Sequence, residues 1–209
     1  MRIGFGYDVH AFAPNRELWL GGIRVPAEQG LLGHSDADVL IHALCDALLG
    51  AAAMRDIGYH FPPVKGNEYE DIDSKILLRK VMHMLREAGY ELGNCDCTIC
   101  AEAPKLNPHI PAMIACLAEV MGVKENQISI KATTTEQLGF VGRKEGIAAQ
   151  VVALIIKNYE SCKDRCFIHS ILLSKSVFVC RAKRATKRER LRFNVHEHYK
   201  QKRYVVHPR

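Results

Sequence analysis

Residues 34–54, HSDADVLIHALCDALLGAAAM, decide the fold that we predict for this chain. Apolar side chains recur through this stretch at the spacing of one helix face: Val39, Leu40, Leu44, Ala47, Leu48 and Ala51. The pattern predicts a long helix over Asp38–Met54, and Ser35 or Asp36 is of the type that caps a helix start. The helix also carries His42 inside its apolar sequence, so the same stretch bears on function.

Strand patterns precede this helix. Met1–Val9 predicts a strand whose alternating side chains place three residues on one side: Ile3, Phe5 and Tyr7. Two short apolar runs flank Gly21-Gly22, and a glycine pair between such runs predicts a tight hairpin.

Further helices and strands follow. Helices are predicted at Ser74–Ala88, whose first residue is of the capping type, and at Pro108–Met121. Strands are predicted at Asn94–Ala101 and Ile128–Ala132. Ile147–Ile156 is a nearly unbroken apolar run that fits either element, and its length and alanine content favour a helix. This order predicts a mixed α/β domain with a small sheet.

Charge is divided unevenly along the chain. The formal net charge is +6, but residues 161–209 hold 14 Lys and Arg against 3 Asp and Glu, whereas the first 160 residues hold 15 against 20. An argument for nucleic-acid binding from basic charge therefore applies to the tail alone. The composition as a whole, 48% hydrophobic and 25% charged, is typical of a globular protein and excludes a collagen-like or disordered chain.

The sequence shows neither an apolar run of about 18 residues nor an export signal, so we expect no membrane span and no secretion. Eight cysteines in 209 residues are too few for a disulfide scaffold. Cys95 and Cys97 share a strand face and are interpreted as small buried hydrophobic residues. We therefore expect reduced thiols and a cytoplasmic protein.

Asp8 and His10 form the first candidate site. Residues i and i+2 of a strand point to the same face, so a carboxylate and an imidazole converge there. The pair alone also fits an ordinary Asp–His hydrogen bond, and His42 alone also fits a core histidine. Together the three offer an Asp/His/His set, and zinc bound by three side chains keeps a fourth position open, as catalytic zinc sites do.

Lys131–Arg143, KATTTEQLGFVGR, forms the second candidate site. Three Thr hydroxyls, glycines that free backbone N–H groups, and Arg143 suit a phosphate-binding loop. Glu136 could hold a hard cation that bridges phosphates. A Thr-rich strand end followed by a glycine turn fits the same residues. The loop Ala101–Pro108 is, by its composition alone, a connection.

Several motifs of the chain occur in the order and at the spacing of one known family. They are Gly6-Tyr7-Asp8-Val9-His10, Leu31 to Asp38, His42 to Gly50, Asp56-Ile57-Gly58, Ala103-Pro104-Lys105, and Lys131 to Arg143 followed by Glu145-Gly146. Through them the chain resembles the 2-C-methyl-D-erythritol 2,4-cyclodiphosphate synthase family of the non-mevalonate isoprenoid pathway. The resemblance covers residues 1–158. Residues 63–73 depart from the family pattern, and we expect residues 159–209 to form a loosely ordered basic extension.

The resemblance implies a fold and an assembly. The fold would be a single α/β (α+β) domain in which a small mixed four-stranded sheet packs on helices, with an extra β-hairpin. Three copies would form a homotrimer with active sites between subunits. Related enzymes can hold an isoprenoid phosphate in an axial cavity of that trimer.

The resemblance also implies roles for individual residues. Asp8, His10 and His42 would bind zinc or another divalent transition metal. Glu136 would bind magnesium or manganese, with Thr134 beside it in catalysis. The residues that would bind the substrate are His34, Ser35, Asp56, Ile57, Gly58, Phe61, Ala101, Pro104, Lys105, Leu106, Asn107, Thr133, Thr134, Thr135, Phe140 and Arg143.

The implied reaction is an intramolecular phosphoryl transfer. It would convert 4-diphosphocytidyl-2-C-methyl-D-erythritol 2-phosphate to 2-C-methyl-D-erythritol 2,4-cyclodiphosphate with release of CMP, which makes the chain a metal-dependent phosphorus–oxygen lyase. Two other interpretations stay open: a catalytically silent trimeric scaffold that binds metal, and a nucleic-acid-binding protein that uses the basic tail. The body lacks a nucleic-acid motif, so we do not expect nucleic acid or a membrane as its partner.

Overall fold

The computed structural model describes residues 1–62 and 72–158, so most of the divergent segment and the basic extension lie outside the described residues. Within these ranges the strands are β1 (Arg2–Ala13), β2 (Leu18–Leu20), β3 (Ile23–Val25), β4 (Gly30–Leu31), β5 (Tyr90–Cys100), β6 (Ile128–Thr133) and β7 (Gly146–Lys157). The helices are α1 (Val39–Ala51), α2 (Ile57–His60), α3 (Ser74–Glu87), α4 (Ile110–Met121) and α5 (Gly139–Gly142). Short 3₁₀ turns occupy Asn107–His109 and Glu125–Gln127.

One mixed sheet organises the domain, with its described strands in the order β4-β1-β7-β5-β6. β7 pairs antiparallel with both β1 and β5, whereas β5 and β6 run parallel. β4 has only two residues, so the sheet consists of four long strands and a short edge strand. β2 and β3 form the separate hairpin predicted around Gly21-Gly22, whose φ angles of 60° and 79° are left-handed. The predicted mixed α/β domain with an added hairpin is confirmed.

Helix α1 is the centre of the core. Ten of its 13 residues are buried, because it packs on β1 and β7 on one side and against α3 on another. Its leucines meet buried residues of β7, such as Val151 and Ile155. In the part of the chain that the structure describes, no helix is both long enough and apolar enough to cross a membrane.

The prediction of a helix at Ile147–Ile156 is wrong, because these residues belong to strand β7. β7 is an inner strand that exchanges hydrogen bonds with β1 and with β5 along nearly its whole length. An antiparallel strand with one solvated face usually alternates apolar and polar residues, but the exposed face of β7 also carries apolar residues, Val152 and Ile156, so the alternation is lost. Here the two rows of backbone hydrogen bonds override the helix preference of the alanines at positions 148, 149 and 153.

Two predicted helix caps are also wrong. α1 is capped by Asp38, whose side chain accepts a hydrogen bond from the backbone N–H of Ile41, rather than by Ser35 or Asp36. α3 is capped by Asp73, and Ser74 is its first residue. In both places several neighbouring residues are of the capping type, so residue type alone does not select the cap.

β1 uses its two faces differently. Ile3, Phe5 and Tyr7 do lie on one side, and that side is exposed. The other side carries Gly4 and Gly6, which lie against α1. A Cβ atom at Gly4 would lie 1.9 Å from the carbonyl oxygen of Ala47, and one at Gly6 would lie 1.9 Å from that of Ala43. The helix therefore rests on the strand backbone, at a distance that only glycine permits.

We expect the substitution Gly6→Ala to lower the free energy of unfolding by more than about 2 kcal/mol, because the added methyl group overlaps helix backbone that cannot move aside. Gly50→Ala is the matched control. Among the described residues, the carbonyl oxygen of Phe5 at 4.0 Å is the nearest atom that a Cβ there would meet, and alanine is favoured over glycine in a helix by about 0.5–1 kcal/mol. Urea unfolding of both variants measures the difference. Equal stability of Gly6→Ala and the parent would contradict the packing described.

Candidate active site

The close packing of α1 on β1 brings three candidate metal ligands together. Asp8 and His10 project from the glycine side of β1, and His42 lies in the first turns of α1. Asp8 Oδ2 lies 2.9 Å from His10 Nε2 and 3.1 Å from His42 Nδ1, and the two ring nitrogens are 3.1 Å apart. The predicted convergence of the three side chains is thus present, and they form a group able to hold a metal ion.

The electrostatics of this group favour a cation. Burial raises the pKa of the Asp8 carboxyl, but its contacts with the His10 and His42 rings outweigh burial and leave that pKa below its ordinary value. Asp8 is therefore an anion near neutral pH. Burial lowers the pKa of His10, but the contact with Asp8 outweighs it, so that the pKa is raised.

The rotation of the His10 ring also suits metal binding. His10 Nδ1 lies 2.6 Å from the carbonyl oxygen of Leu32. Because a carbonyl oxygen only accepts, Nδ1 carries the proton and Nε2 is the nitrogen that faces Asp8. A backbone carbonyl on the outer nitrogen is the usual arrangement for a metal-binding histidine. One carboxylate oxygen and two imidazole nitrogens fit zinc or another divalent transition metal.

A cavity of about 180 Å³ opens beside these ligands. It brings His10 and His42 together with five of the predicted substrate-binding residues: His34, Ser35, Ile57, Gly58 and Phe61. Gly33, Ile72 and Leu77 complete its described lining. Asp56 caps the short helix α2 by accepting a hydrogen bond from the N–H of Tyr59. Residues from four separate regions of the sequence therefore line one space.

The segment before α1 is held by groups that sequence reasoning missed. Arg16 donates hydrogen bonds to the carbonyl oxygens of Gly33 and Ser35, at 3.3 and 2.7 Å. Ser74 lies 3.0 Å from Nε2 of His42 and donates to the carboxylate of Asp36. Arg16 and Ser74 lie far from this segment in the sequence, and no local pattern marks them as its partners.

The second group of predicted residues forms at another edge of the sheet. β5 and β6 are parallel and paired with Cys100 opposite Thr133, so the loops that follow them start side by side. Glu102 accepts hydrogen bonds from the backbone N–H groups of Thr135 and Gln137, at 2.9 and 3.4 Å. The bond from Thr135 in particular holds the pKa of Glu102 below its ordinary value. Glu102 thus ties the two loops together, a role that sequence reasoning missed.

Within these loops the predicted residues differ in exposure. Ala101 and Leu106 are buried, Pro104 is half-buried, and Lys105 and Asn107 are exposed. Thr133, Thr134 and Glu136 are exposed, Thr135 is half-buried, and Thr134 Oγ1 donates a hydrogen bond of 3.1 Å to Glu136. Glu136 has a φ of 52°, in the left-handed region that an ordinary side chain seldom adopts. Such conformations cluster at functional sites.

The last two predicted residues lie at α5. Phe140 is half-buried within the helix, and Arg143 follows it, exposed and paired with Glu145 at 2.8 Å. Among the described residues that line the cavity beside Asp8, none comes from residues 101–107 or 133–143. The structure therefore arranges the predicted residues as two groups, one around the three metal ligands and one at the β5–β6 edge.

Comparison with known proteins shows the family of the chain. The model of the YgbB family matches residues 1–156. A 2-C-methyl-D-erythritol 2,4-cyclodiphosphate synthase from Parabacteroides distasonis is 72% identical over 155 residues, which are 74% of this chain and 96% of the relative. The synthase from Bacteroides fragilis is 64% identical over 155 residues, 74% of this chain and 97% of the relative.

Solved structures give the same result. The bifunctional IspDF from Campylobacter jejuni superposes with a TM-score of 0.72 at 42% identity, over 75% of this chain and 42% of that one. IspF from Plasmodium falciparum, in a CDP complex, superposes with a TM-score of 0.67 at 33% identity, over 75% of this chain and 96% of that one. The chain therefore belongs to the YgbB family, and its resemblance to the 2-C-methyl-D-erythritol 2,4-cyclodiphosphate synthases is confirmed.

Proposed function

We propose that this chain converts 4-diphosphocytidyl-2-C-methyl-D-erythritol 2-phosphate to 2-C-methyl-D-erythritol 2,4-cyclodiphosphate and CMP, as a metal-dependent phosphorus–oxygen lyase. The observation that carries the proposal is the set Asp8, His10 and His42, whose ligand atoms lie about 3 Å apart beside a cavity in a member of this family. A catalytically silent scaffold would have no need of such a cavity beside its metal ligands.

The chemistry explains why the site offers no strong base. The attacking group is the 2-phosphate of the substrate, and a phosphate monoester with a second pKa of about 6 is already an anion at neutral pH. The obstacles are repulsion between two anions and the bent conformation that ring closure demands. Zinc or a similar metal on Asp8, His10 and His42, with magnesium or manganese on Glu136, would supply the charge neutralisation.

The protein's own residues would hold the substrate in the reactive conformation. His34, Ser35, Ile57, Gly58 and Phe61 would surround the methylerythritol phosphate in the cavity, with Asp56 at its edge. Holding a flexible substrate in its folded-back form can contribute up to about 7–11 kcal/mol. Enclosure by these side chains would also exclude water from the reacting phosphates.

The β5–β6 edge would bind the nucleotide half of the substrate. Residues Ala101, Pro104, Lys105, Leu106 and Asn107 would hold the cytidine, and Thr133 to Glu136 would contact the diphosphate. The hydroxyls and the exposed Lys105 are suited to phosphate oxygens. The CDP complex of the Plasmodium falciparum relative supports a cytidine nucleotide as ligand.

A homotrimer would join the two groups of residues. One face of the sheet carries exposed apolar residues from neighbouring strands: Ile3, Phe5, Tyr7 and Val9 of β1, with Val152 and Ile156 of β7. Phe5 and Val152 are register partners, so the two rows form one surface. A contiguous apolar surface of this kind marks a protein contact. Because the metal ligands and the nucleotide loops line separate spaces in one chain, we propose that each active site is completed by a second subunit.

The catalytic domain would end near residue 158. The family model ends at residue 156, and β7 ends at Lys157. Residues 159–209 would then be an extension that the reaction does not need.

We expect His42→Ala and Asp8→Asn each to lose the transition metal and most CMP release, because each removes one of three ligands. Metal content by mass spectrometry and CMP release from the substrate, with and without chelator, are the measurements. His83→Ala is the control, since this histidine is exposed on α3. Full metal content with parental CMP release in both ligand variants would refute the proposed function.

We expect Glu136→Gln to raise the magnesium or manganese concentration needed for half-maximal CMP release, because the amide binds a hard cation more weakly than the carboxylate. Zinc content should stay unchanged, since Glu136 does not line the cavity of Asp8. Glu125→Gln, in a 3₁₀ turn outside both groups, is the matched control. If Glu136→Gln responds to magnesium as the parent does, Glu136 is not a ligand.

Asp46 gives a test of the cavity wall. Its carboxylate accepts a hydrogen bond of 2.8 Å from the N–H of Ile57, which anchors the segment 56–58 to α1. We expect Asp46→Ala to raise KM for the substrate several-fold and to keep its metal, whereas Asp46→Asn retains an acceptor and stays near the parent. Steady-state kinetics would separate the two. An unchanged KM in Asp46→Ala would show that the anchor is unimportant.

A further inference from the structure

The outer side of the His42 ring makes a chain of hydrogen bonds into the protein. His42 Nε2 lies 3.0 Å from the hydroxyl of Ser74. That hydroxyl donates to Oδ1 of Asp36, while the backbone N–H of Ser74 donates to Oδ2 of the same carboxylate at 3.0 Å. Ser74 is fully buried. A buried hydroxyl and a carboxylate therefore stand in line behind a candidate metal ligand.

We propose that Ser74 and Asp36 are positioning residues that hold a proton of His42 on Nε2 and so leave Nδ1, the nitrogen that faces Asp8 and His10, available to a metal. The inference rests on the proposed function in one respect only, namely that Nδ1 of His42 binds the metal. Neither residue touches the substrate in this account, and both act through His42.

The direction of the hydrogen bonds carries the argument. An ionised carboxylate has no hydrogen and only accepts. The single hydrogen of the Ser74 hydroxyl is therefore committed to Asp36, and toward His42 the hydroxyl oxygen can only accept. His42 Nε2 must then be the donor. On the other side of the ring, Nδ1 lies 3.1 Å from the Asp8 carboxylate, which accepts a proton there while no metal is bound. When a metal takes the place of that proton, the neutral imidazole has its one N–H on Nε2 and its lone pair on Nδ1.

The second hydroxyl near this ring does not decide its tautomer. Ser35 Oγ lies 3.2 Å from His42 Nε2 and accepts a hydrogen bond from the N–H of Ala37 at 3.1 Å. No acceptor other than His42 is recorded for the hydrogen of this hydroxyl in the described residues, so Ser35 can either donate to Nε2 or accept from it. The Ser74 hydroxyl donates its hydrogen to Asp36, so of the two hydroxyls it is the one that favours a proton on Nε2 of His42.

The arrangement is built by tertiary structure. Ser74 is the first residue of α3, and the N–H of Asp36 donates to the carbonyl oxygen of Ile72 at 3.3 Å, just before that helix. The start of α3 and the segment before α1 are thus joined through Asp36. An outer hydrogen bond that fixes the tautomer and rotation of a histidine ligand changes metal affinity by about 10–100-fold when it is lost.

The tautomer test uses the full chain labelled with ¹⁵N-histidine, freed of metal by chelation and carrying Asp8→Ala, because the Asp8 carboxylate would otherwise compete for a proton on Nδ1. Long-range ¹H–¹⁵N correlation spectra at about pH 8, above the ordinary range of imidazole titration, report the tautomer of His42 directly. We expect the Nε2–H form in this Asp8→Ala reference chain and a mixture of both forms when Ser74→Ala is added. Asp36→Asn should give a mixture too, because an amide can donate to Ser74 and reverse the hydrogen bonds.

Metal affinity is the second readout. Competition of Zn²⁺ and Co²⁺ with a coloured chelator should give a dissociation constant about 10–100-fold higher in Ser74→Ala and Asp36→Asn than in the parent. Asp73→Ala is the matched control. It removes the cap of α3 and so loosens the same helix start, by about 1 kcal/mol, but its side chain does not contact His42. It should lower stability and leave both tautomer and metal affinity unchanged.

Three results would overturn the inference. One is a His42 in the Nδ1–H form in the Asp8→Ala reference chain. Another is a Ser74→Ala substitution that leaves the tautomer of that reference chain and the metal affinity of the parent unchanged. The third is a loss of affinity in Asp73→Ala equal to that in Ser74→Ala, which would reduce Ser74 to a structural role. If the tautomers behave as expected but the parent binds neither metal, the positioning of His42 stands and the proposed metal centre is wrong.

Discussion

The contact of α1 with the backbone of β1 is the constraint on which the rest of the structure depends. Gly4 and Gly6 let the helix lie directly on the strand, with helix carbonyl oxygens where side chains would otherwise be. His42 on the helix can then reach Asp8 and His10 on the strand. A side chain at either glycine would push the helix outward, and a shift of even 1 Å would separate ligand atoms that now lie about 3 Å apart.

The same strand serves assembly through its other face. Because side chains alternate along β1, the residues between the glycines and the ligands point away from α1 and form the apolar surface with β7. The register of β1 in the sheet therefore sets both the metal ligands and the proposed subunit contact. A register shift of one residue along β1 would bury Phe5 and expose His10. The metal ligands and the proposed subunit contact therefore depend on the same register.

The sequence predicted those parts of the site that follow from local geometry. The i, i+2 spacing of Asp8 and His10 placed them on one face, and the glycine pair at residues 21–22 placed the hairpin. It did not predict β7, because apolar residues such as Val152 and Ile156 also occupy the exposed face of this strand and remove the alternation that identifies a strand. The alanines then favour the wrong element. Local patterns carry no information about which strands lie on either side.

The residues of the site that the sequence did not predict were missed for a different reason. Ser74, Arg16 and Glu102 each act on a segment at least 17 residues away, and each looks like an ordinary polar residue at the start of a helix or in a loop. Their partners are fixed only once the strands and helices are packed. Glu102 is a clear case, since the parallel pairing of β5 and β6 is what brings it to the N–H groups of Thr135 and Gln137.

Two acidic residues before α1, Asp36 and Asp38, show why carboxylates are used in the packed region around His42. Asp38 is fully buried and accepts hydrogen bonds from the N–H groups of Gly21, Gly22 and Ile41. Burial raises its pKa, and these bonds oppose that rise by stabilising the charged form. An asparagine would offer one oxygen to three donors and would bury an NH₂ group among them. The hydrogen-bond partners found for the carboxylates of Asp38 and Asp36 among the described residues are all donors. Side chains that accept without donating satisfy them, and these bonds join the hairpin, α1 and α3 around His42.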